Sequence, residues 1–377
     1  MNKIIRPIFL ITCFLSIACY AAAQPTSIDD SIMSIKGKWS TRPAFLPTPG
    51  PAKPEKLFPV LQKKVDSIAR LFRQAYPDLK GTDGYWYASL EEGTLFKDGP
   101  WSYAYRSAFL YYYYNTAYKK IVKVTETVTW AYAFINRVSW LFEEIKMNID
   151  ADGKPVSMWK FPVEKGEWNG YTLYEPLAHG PEARAIVITK EGRLPWKPVT
   201  RLQYLQALRQ KHEEEKQATN ARVDKSAAAA EKQIEAIKNN ASFDQATKDK
   251  MIALLRSTLD KQVPKTDADK QKFNAFWDKE IKVIDDYINS NNEATLSQQA
   301  IVSNWRIFTG SFAPVTDKYA TKLVYIDPAY FNNDLPSYAP QFIVLYWRWN
   351  KNAPGHYFRK QMEENFPVEK LKAFIRN

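Results

Sequence analysis

The sequence predicts an α+β chain: an antiparallel sheet with a packed N-terminal helix, interrupted by a long antiparallel helical hairpin or array. Three observations carry this. A helical apolar stripe opens the folded part, aromatic-rich segments of alternating polarity follow it and return near the C-terminus, and the stretch between them loses its tryptophans. Every Trp lies either from Trp39 to Trp196 or from Trp277 to Trp349. Of the 377 residues, 45% are hydrophobic and 14% aromatic, which supplies a core for one large domain or two.

Leu61, Val65, Ile68, Phe72 and Tyr76 fall at helical spacing, with Lys63, Lys64, Asp66, Arg70 and Arg73 on other faces. Pro77, Gly81 and Gly84 end that helix. Tyr85 to Leu90 reads as a short strand, and Tyr103 to Asn115 as a strand with aromatics on both faces. From Val122 to Tyr132 apolar and polar residues alternate, the period of a half-buried strand, with Glu126 breaking the apolar side. Ile145 to Ile149 and Pro155 to Trp159 flank Asp150-Ala-Asp-Gly153 as a hairpin. Tyr171 to Tyr174 and Ala183 to Thr189 form a further pair.

Between Lys211 and Lys261 basic and acidic residues nearly balance, and Phe243 is the one aromatic besides His212. Thr200 and Gln203 form a capping box before the first helix of this array, and Ser242 and Gln245 repeat the pattern before Met251, Leu254 and Leu255. A third helix carries Phe273, Phe276, Trp277, Ile281, Ile284 and Ile288. The thin stripe from His212 to Ala230 predicts an arm that projects with one helical neighbour. Unbroken heptads are missing, which argues against a coiled coil. Leu323 to Ile326 and Phe342 to Trp349 read as strands, then Tyr357 to Asn365 and Val368 to Ile375 as helix.

The organisation expected is residues 1–23 as a signal peptide, 24–56 as an extended leader rich in Pro, Ser and Thr, and 57–198 as the helix and sheet region. Residues 199–290 are the charged helical array, and 291–377 an α/β segment that completes the main body or forms its own small domain. Lys3 and Arg6, the apolar run Ile8 to Ile17 and Ala21-Ala22-Ala23 are the three parts of a secretory signal. They predict a periplasmic or extracellular chain beginning at Gln24. The alternative is a lipid anchor on Cys19, against which Leu15 stands one residue too far upstream. Both cysteines, Cys13 and Cys19, fall in that segment, so the mature chain is expected to be cysteine-free. No later run is apolar and long enough to cross a bilayer.

The formal charge of +12 fits anionic lipid, acidic glycan or nucleic acid, and export argues against nucleic acid. No cofactor is implied. Metal chemistry lacks a motif: His179, His212 and His356 are scattered, and His212 beside Glu213, Glu214 and Glu215 reads as a solvated side chain. His179 and His356 read as turn residues beside Gly180-Pro181 and Pro354-Gly355. Asp150-Ala-Asp152-Gly153 opens like a calcium loop, but its twelfth position is Phe161, so a hairpin turn explains it.

There is no GxSxG elbow and no phosphate loop. Glu126, Glu143, Glu144 and Glu175 near aromatic residues could serve a carbohydrate-active or other hydrolytic enzyme. The preferred reading is a secreted, non-enzymatic binding or interaction protein. Its recognition residues are Trp159, Trp168, Tyr171 and Tyr174, rings held in turn-rich sequence for a glycan or an exported protein.

Overall fold

The computed structural model describes residues 27–45, 57–90, 99–138, 140–151, 153–262 and 267–376. The expected signal segment, its Ala21-Ala22-Ala23 site, Cys13, Cys19 and Pro47 to Pro51 lie outside them, as does Asp152. The expectation of a cysteine-free mature chain is corrected: the 377-residue chain carries two cysteines. That expectation rested on the removal of residues 1–23, which this chain includes.

In chain order the elements are α1 (Ile28–Met33), β1 (Trp39–Thr41), α2 (Phe58–Ala75), β2 (Thr82–Ser89), β3 (Tyr103–Asn115), β4 (Lys120–Lys123) and β5 (Trp130–Ile135). Next come β6 (Glu143–Ala151), β7 (Lys154–Lys160), β8 (Val163–Trp168), β9 (Tyr171–Glu175), β10 (Ala183–Thr189) and β11 (Trp196–Pro198). The array holds α3 (Arg201–Asn239), α4 (Gln245–Gln262), α5 (Asp267–Ser290) and α6 (Glu293–Leu296). The chain then runs through β12 (Ile301–Val302), β13 (Thr321–Ile326), β14 (Phe342–Arg348), α7 (Ala353–Asn365) and α8 (Val368–Lys372). The α+β class, with its N-terminal helix, sheets and helical array, is the one the sequence predicts.

The chain divides into two compact units: residues 1–142, 162–195 and 328–377 form the first, and 143–161 with 196–327 the second. The first unit holds a sheet in the order β1-β2-β3-β5-β14-β10-β9-β8, with β4 paired to β3. Its pairs are antiparallel except β1 with β2. Helix α2 forms because its apolar residues recur every three or four positions, burying Leu61, Val65, Ile68 and Phe72 on one stripe. That stripe and Phe358, Met362 and Leu371 of α7 and α8 cover one face of the sheet, against Tyr103, Tyr105, Ala133 and Trp347. Phe72 stacks on Tyr105 at 4.3 Å.

Part of the stretch expected as an extended leader is folded. Ser27 caps α1 with a reciprocal bond to Asp30, and β1 lies beside β2. The approach there is close: a Cβ on Gly37 would overlap the carbonyl oxygen of Thr82. The strand expected from Val122 to Tyr132 is broken at a bend containing Glu126, and Val128 is 38% exposed. The segment read as a turn-rich loop before Tyr171 is a strand instead, β8, joined to β9 through Asn169 and Gly170. Both have positive φ, 51° and 77°, as a two-residue hairpin turn requires. His356 starts a helix rather than a turn, because Asn352 accepts a bond from the Gly355 N–H and caps α7.

The second unit has a sheet in the order β11-β13-β7-β6, with β12 beside β13. The expected hairpin from Ile145 to Trp159 is present, and the Gly153 N–H donates to the Asp150 carboxylate in its turn. Val199, Tyr204, Leu205, Leu208 and Ile284 pack on Ile145, Met158 and Leu323 of this sheet. The Thr200–Gln203 capping box forms, with both reciprocal bonds at 3.0–3.1 Å. Ser242 does not cap α4. Asp244 does, accepting from the Thr247 N–H at 2.7 Å, because the helix begins two residues later than the box requires.

Along 211–261 the described side chains are mostly exposed, with His212 and Ile234 buried. Ile234, at 4% exposure, is far more enclosed than Val128, so the contrast expected between arm and sheet fails for that pair. His212 is also buried, at 3%, rather than solvated. Its ring packs on Trp277 of α5 at 4.8 Å, a partner that its acidic sequence neighbours do not reveal. Among the described residues no helix is long and apolar enough to cross a membrane.

Candidate ligand-binding site

The four rings expected to recognise a ligand are divided between the two units and, within the first, between two faces of its sheet. Trp159 lies on β7 in the second unit, on the strand face opposite the buried Met158. Trp168 and Tyr171 face each other across the β8–β9 hairpin, on the helix-covered side of the first sheet. The Trp168 ring lies 5.0 Å from that of Trp347, and its Nε1–H donates to the Glu363 carbonyl at 2.9 Å. Tyr171 donates to the Glu369 carboxylate, and burial together with that carboxylate pushes its phenol up to about 12. Both rings, partly buried, thereby join the hairpin to α7–α8.

Tyr174 is buried on the other face, 3% exposed. Tyr171 and Tyr174 do share a shallow groove of about 350 Å³ around the hairpin edge, with Thr172, Thr189 and Lys372. Trp168→Ala is expected to lower the unfolding free energy by about 2–3 kcal/mol, below the cost of a fully enclosed ring. A denaturant titration measures it, and an unchanged midpoint would restore the platform reading.

A denser constellation occupies the sheet face away from the helices. Side chains alternate along each strand, and register then lines up one face across neighbours. The pairs Tyr87–Arg106, Arg106–Tyr132, Tyr132–Tyr346, Tyr346–Ala185 and Ala185–Tyr174 make one continuous row over six strands. The next row runs Tyr85–Ala108, Ala108–Trp130 and Trp130–Arg348. Ala131, Ala133, Leu345 and Trp347, at the intervening positions, face the helices.

Two loops add rings to these rows. Trp140 stands in a left-handed conformation, φ 77°, and packs edge-on against Trp130 at 5.6 Å and Tyr132 at 5.4 Å. His179 stacks on Trp140 at 4.9 Å with an interplanar angle of 13°. The Arg348 guanidinium sits 5.4 Å over Trp130, and that of Arg106 lies 5.6 Å over Tyr132. Arginine over an aromatic face keeps its charge while its own flat surface is covered.

Asn136, buried and with φ 52°, stands at the start of the segment that leads to Trp140. Its amide donates to the carbonyls of Trp101 and Ala339, and its Oδ1 accepts from the Gln341 N–H. Ser102 then donates to the Asn136 carbonyl at 2.6 Å. Loop and strand are thereby tied through side-chain bonds that only this residue type supplies at a positive φ.

The polar atoms of this face are under-used. The Tyr346 hydroxyl, His179 Nδ1 and Arg348 Nε are buried without a hydrogen-bond partner among the described residues. Burial and the nearby Arg348 hold the His179 imidazole below its ordinary value, so it is neutral at pH 7. Burial pushes the phenols of Tyr132 and Tyr346 upward, so both remain hydrogen-bond donors at any physiological pH. The face thus holds guanidinium charge, buried phenol donors and stacked rings.

The carboxylates weighed for hydrolysis are placed elsewhere. Glu126 is exposed in the bend before β5, and Glu175 is engaged by Lys165 and Arg184. In the second unit Glu143 pairs with Lys160. Among the described residues no three His, Cys, Asp or Glu side chains gather where a metal ion could be held.

Sequence reasoning missed Arg106, Trp130, Trp140, His179, Tyr346 and Arg348 as a group. The one signal present was an arginine at the same strand parity as Tyr346 in Phe342 to Arg348. No protein-family model, curated protein or solved structure matches the chain.

Proposed function

We propose that the chain is a non-enzymatic binding protein whose first unit takes an anionic, ring-bearing ligand, an acidic glycan, on the sheet face away from its helices. The carrying observation is the Arg348 guanidinium over Trp130, with its Nε, the Tyr346 hydroxyl and His179 Nδ1 unbonded among the described residues, against a layer of stacked rings. A carboxylate or sulfate can accept charge-assisted bonds from arginine and from the phenol. The apolar faces of sugar rings can lie on Trp130 and Trp140, as on other aromatic binding surfaces. The chain's excess of basic residues favours approach of a polyanion. Export, expected from residues 1–23, belongs to this proposal, since acidic glycans are met outside the cytoplasm.

Calorimetric titration with trigalacturonic acid and with neutral maltotriose tests it. The acidic trisaccharide is expected to bind and the neutral one to bind at least tenfold more weakly. Arg348→Ala should weaken the acidic ligand roughly 10- to 100-fold, the range of a lost charge-assisted bond. Trp140→Ala should cost about 1–3 kcal/mol of binding, as expected for an aromatic anchor. Equal affinity for both trisaccharides, or an Arg348→Ala protein that binds like the parent, would sink the proposal.

A further inference from the structure

The second unit contains a separate cavity of about 460 Å³ between α3, α5 and the segment after β12. Its wall is largely apolar, built from Phe276, Trp277, Trp305 and Ile307. His212 also lines it, and this side chain has an unusual state. It is 3% exposed, yet among the described residues neither ring nitrogen has a hydrogen-bond partner, and the neighbouring Trp277 Nε1–H is likewise buried and unbonded there. Buried polar atoms are ordinarily bonded, because an unmet donor or acceptor loses its hydration without replacement. Three such atoms lie in two side chains that line one cavity.

The chemistry of a ligand that fits follows from the wall. Burial lowers the His212 affinity for a proton, opposed by Glu215 and assisted by Lys211, so the ring is neutral at pH 7. A neutral imidazole presents one donor and one acceptor, and Trp277 adds a second donor. Charge around the cavity is balanced rather than one-signed: Lys211 pairs with Glu215 at 3.3 Å, Arg306 lies 4.8 Å over Trp305, and Glu280 and Lys146 complete the rim. The volume lies within the range of small-molecule sites.

We infer that this cavity binds a small, neutral, planar heteroaromatic molecule, nucleobase- or nicotinamide-like, whose edge carries a donor next to an acceptor. The edge meets His212 and Trp277, and the ring lies among Trp277, Trp305 and Phe276. This site is distinct from the arginine-lined face of the first unit and does not depend on it.

The test uses the full chain with adenine and nicotinamide as probes and toluene as an apolar control, read by ligand-observed NMR titration. At least one of the two probes is expected to bind saturably in the millimolar range or tighter. His212→Phe, which keeps the ring and removes both nitrogens, should weaken that probe at least tenfold while leaving toluene unchanged. His212→Gln, which restores an adjacent donor and acceptor, should recover most of the affinity. Trp305→Ala, at a partly exposed position, should also weaken the probe at least tenfold. If neither probe binds the parent, or if His212→Phe and Trp305→Ala both bind as the parent does, the inference is overturned.

Discussion

Trp347→Ala is expected to lower the unfolding free energy by about 3–5 kcal/mol, the range for emptying an enclosed tryptophan site. The ring has no exposed surface and sits on the helix side of the central strand β14. It touches Trp168 from the hairpin, and its Nε1–H reaches the Glu363 carboxylate, which Arg359 also holds at 2.8 Å. Across the strand it faces Ala131 on one side and Arg184 on the other. Ala131 has no side chain that can extend into the space left behind, so the cavity stays. A denaturant titration should show a lower midpoint with an unchanged slope. Where the variant remains folded, trigalacturonic acid should bind within a few-fold of the parent, because the Trp347 ring and the arginine-bearing face proposed for the ligand lie on opposite sides of the sheet.

Asn136→Ala is expected to cost a similar amount, about 3–5 kcal/mol, by a different route and with a binding defect. The substitution leaves the Trp101 and Ala339 carbonyls and the Gln341 N–H without their buried partner. Each such loss costs on the order of 1–3 kcal/mol. It also places alanine at φ 52°, where asparagine is favoured. The Trp140 loop then loses its tether, so affinity for the acidic ligand should fall at least tenfold. Asn136→Asp keeps the acceptor for Gln341 but sets a buried carboxylate oxygen against the Trp101 and Ala339 carbonyls, so it should lose at least as much stability at neutral pH. The two substitutions separate a residue that only builds the sheet from one that also positions the site. Thermal unfolding and calorimetry on the same samples compare them.

Local pattern was legible in the sequence where the cause is local. The α2 stripe, the Thr200–Gln203 box and the alternation of Phe342 to Arg348 each arise within a few residues, and each appears in the fold. Pairing between distant strands was not legible. The Ile145–Trp159 hairpin is recognisable by itself, but its neighbour β13 arrives more than a hundred residues later, with Leu323 opposite Lys160. Nothing in the hairpin specifies that it belongs to a different sheet from β5.

The site was hidden for the same reason. Arg106, Tyr132 and Tyr346 become neighbours only through the β3-β5-β14 order, while Trp140 and His179 come from two separate loops. Trp168 and His212 were misread by one shared error. Each has polar or acidic sequence neighbours, and each is covered by a helix from far along the chain: Trp168 by α7 at Glu363, His212 by α5 at Trp277. Asp244 in place of Ser242 is a smaller case, a competition between two capping residues decided by where the helix starts.

The ring and arginine face of the first unit is the proposed place of acidic-glycan binding. Hydrogen exchange of the backbone amides, followed by mass spectrometry with and without trigalacturonic acid, tests it most directly. Added protection is expected in peptides covering 130–135, 140–142, 177–182 and 346–349, with little change in 163–175. Such protection should be absent in Arg348→Ala at the same ligand concentration. Protection confined to the β8–β9 hairpin or to the second unit, or none at a concentration where calorimetry shows saturation, would contradict the account.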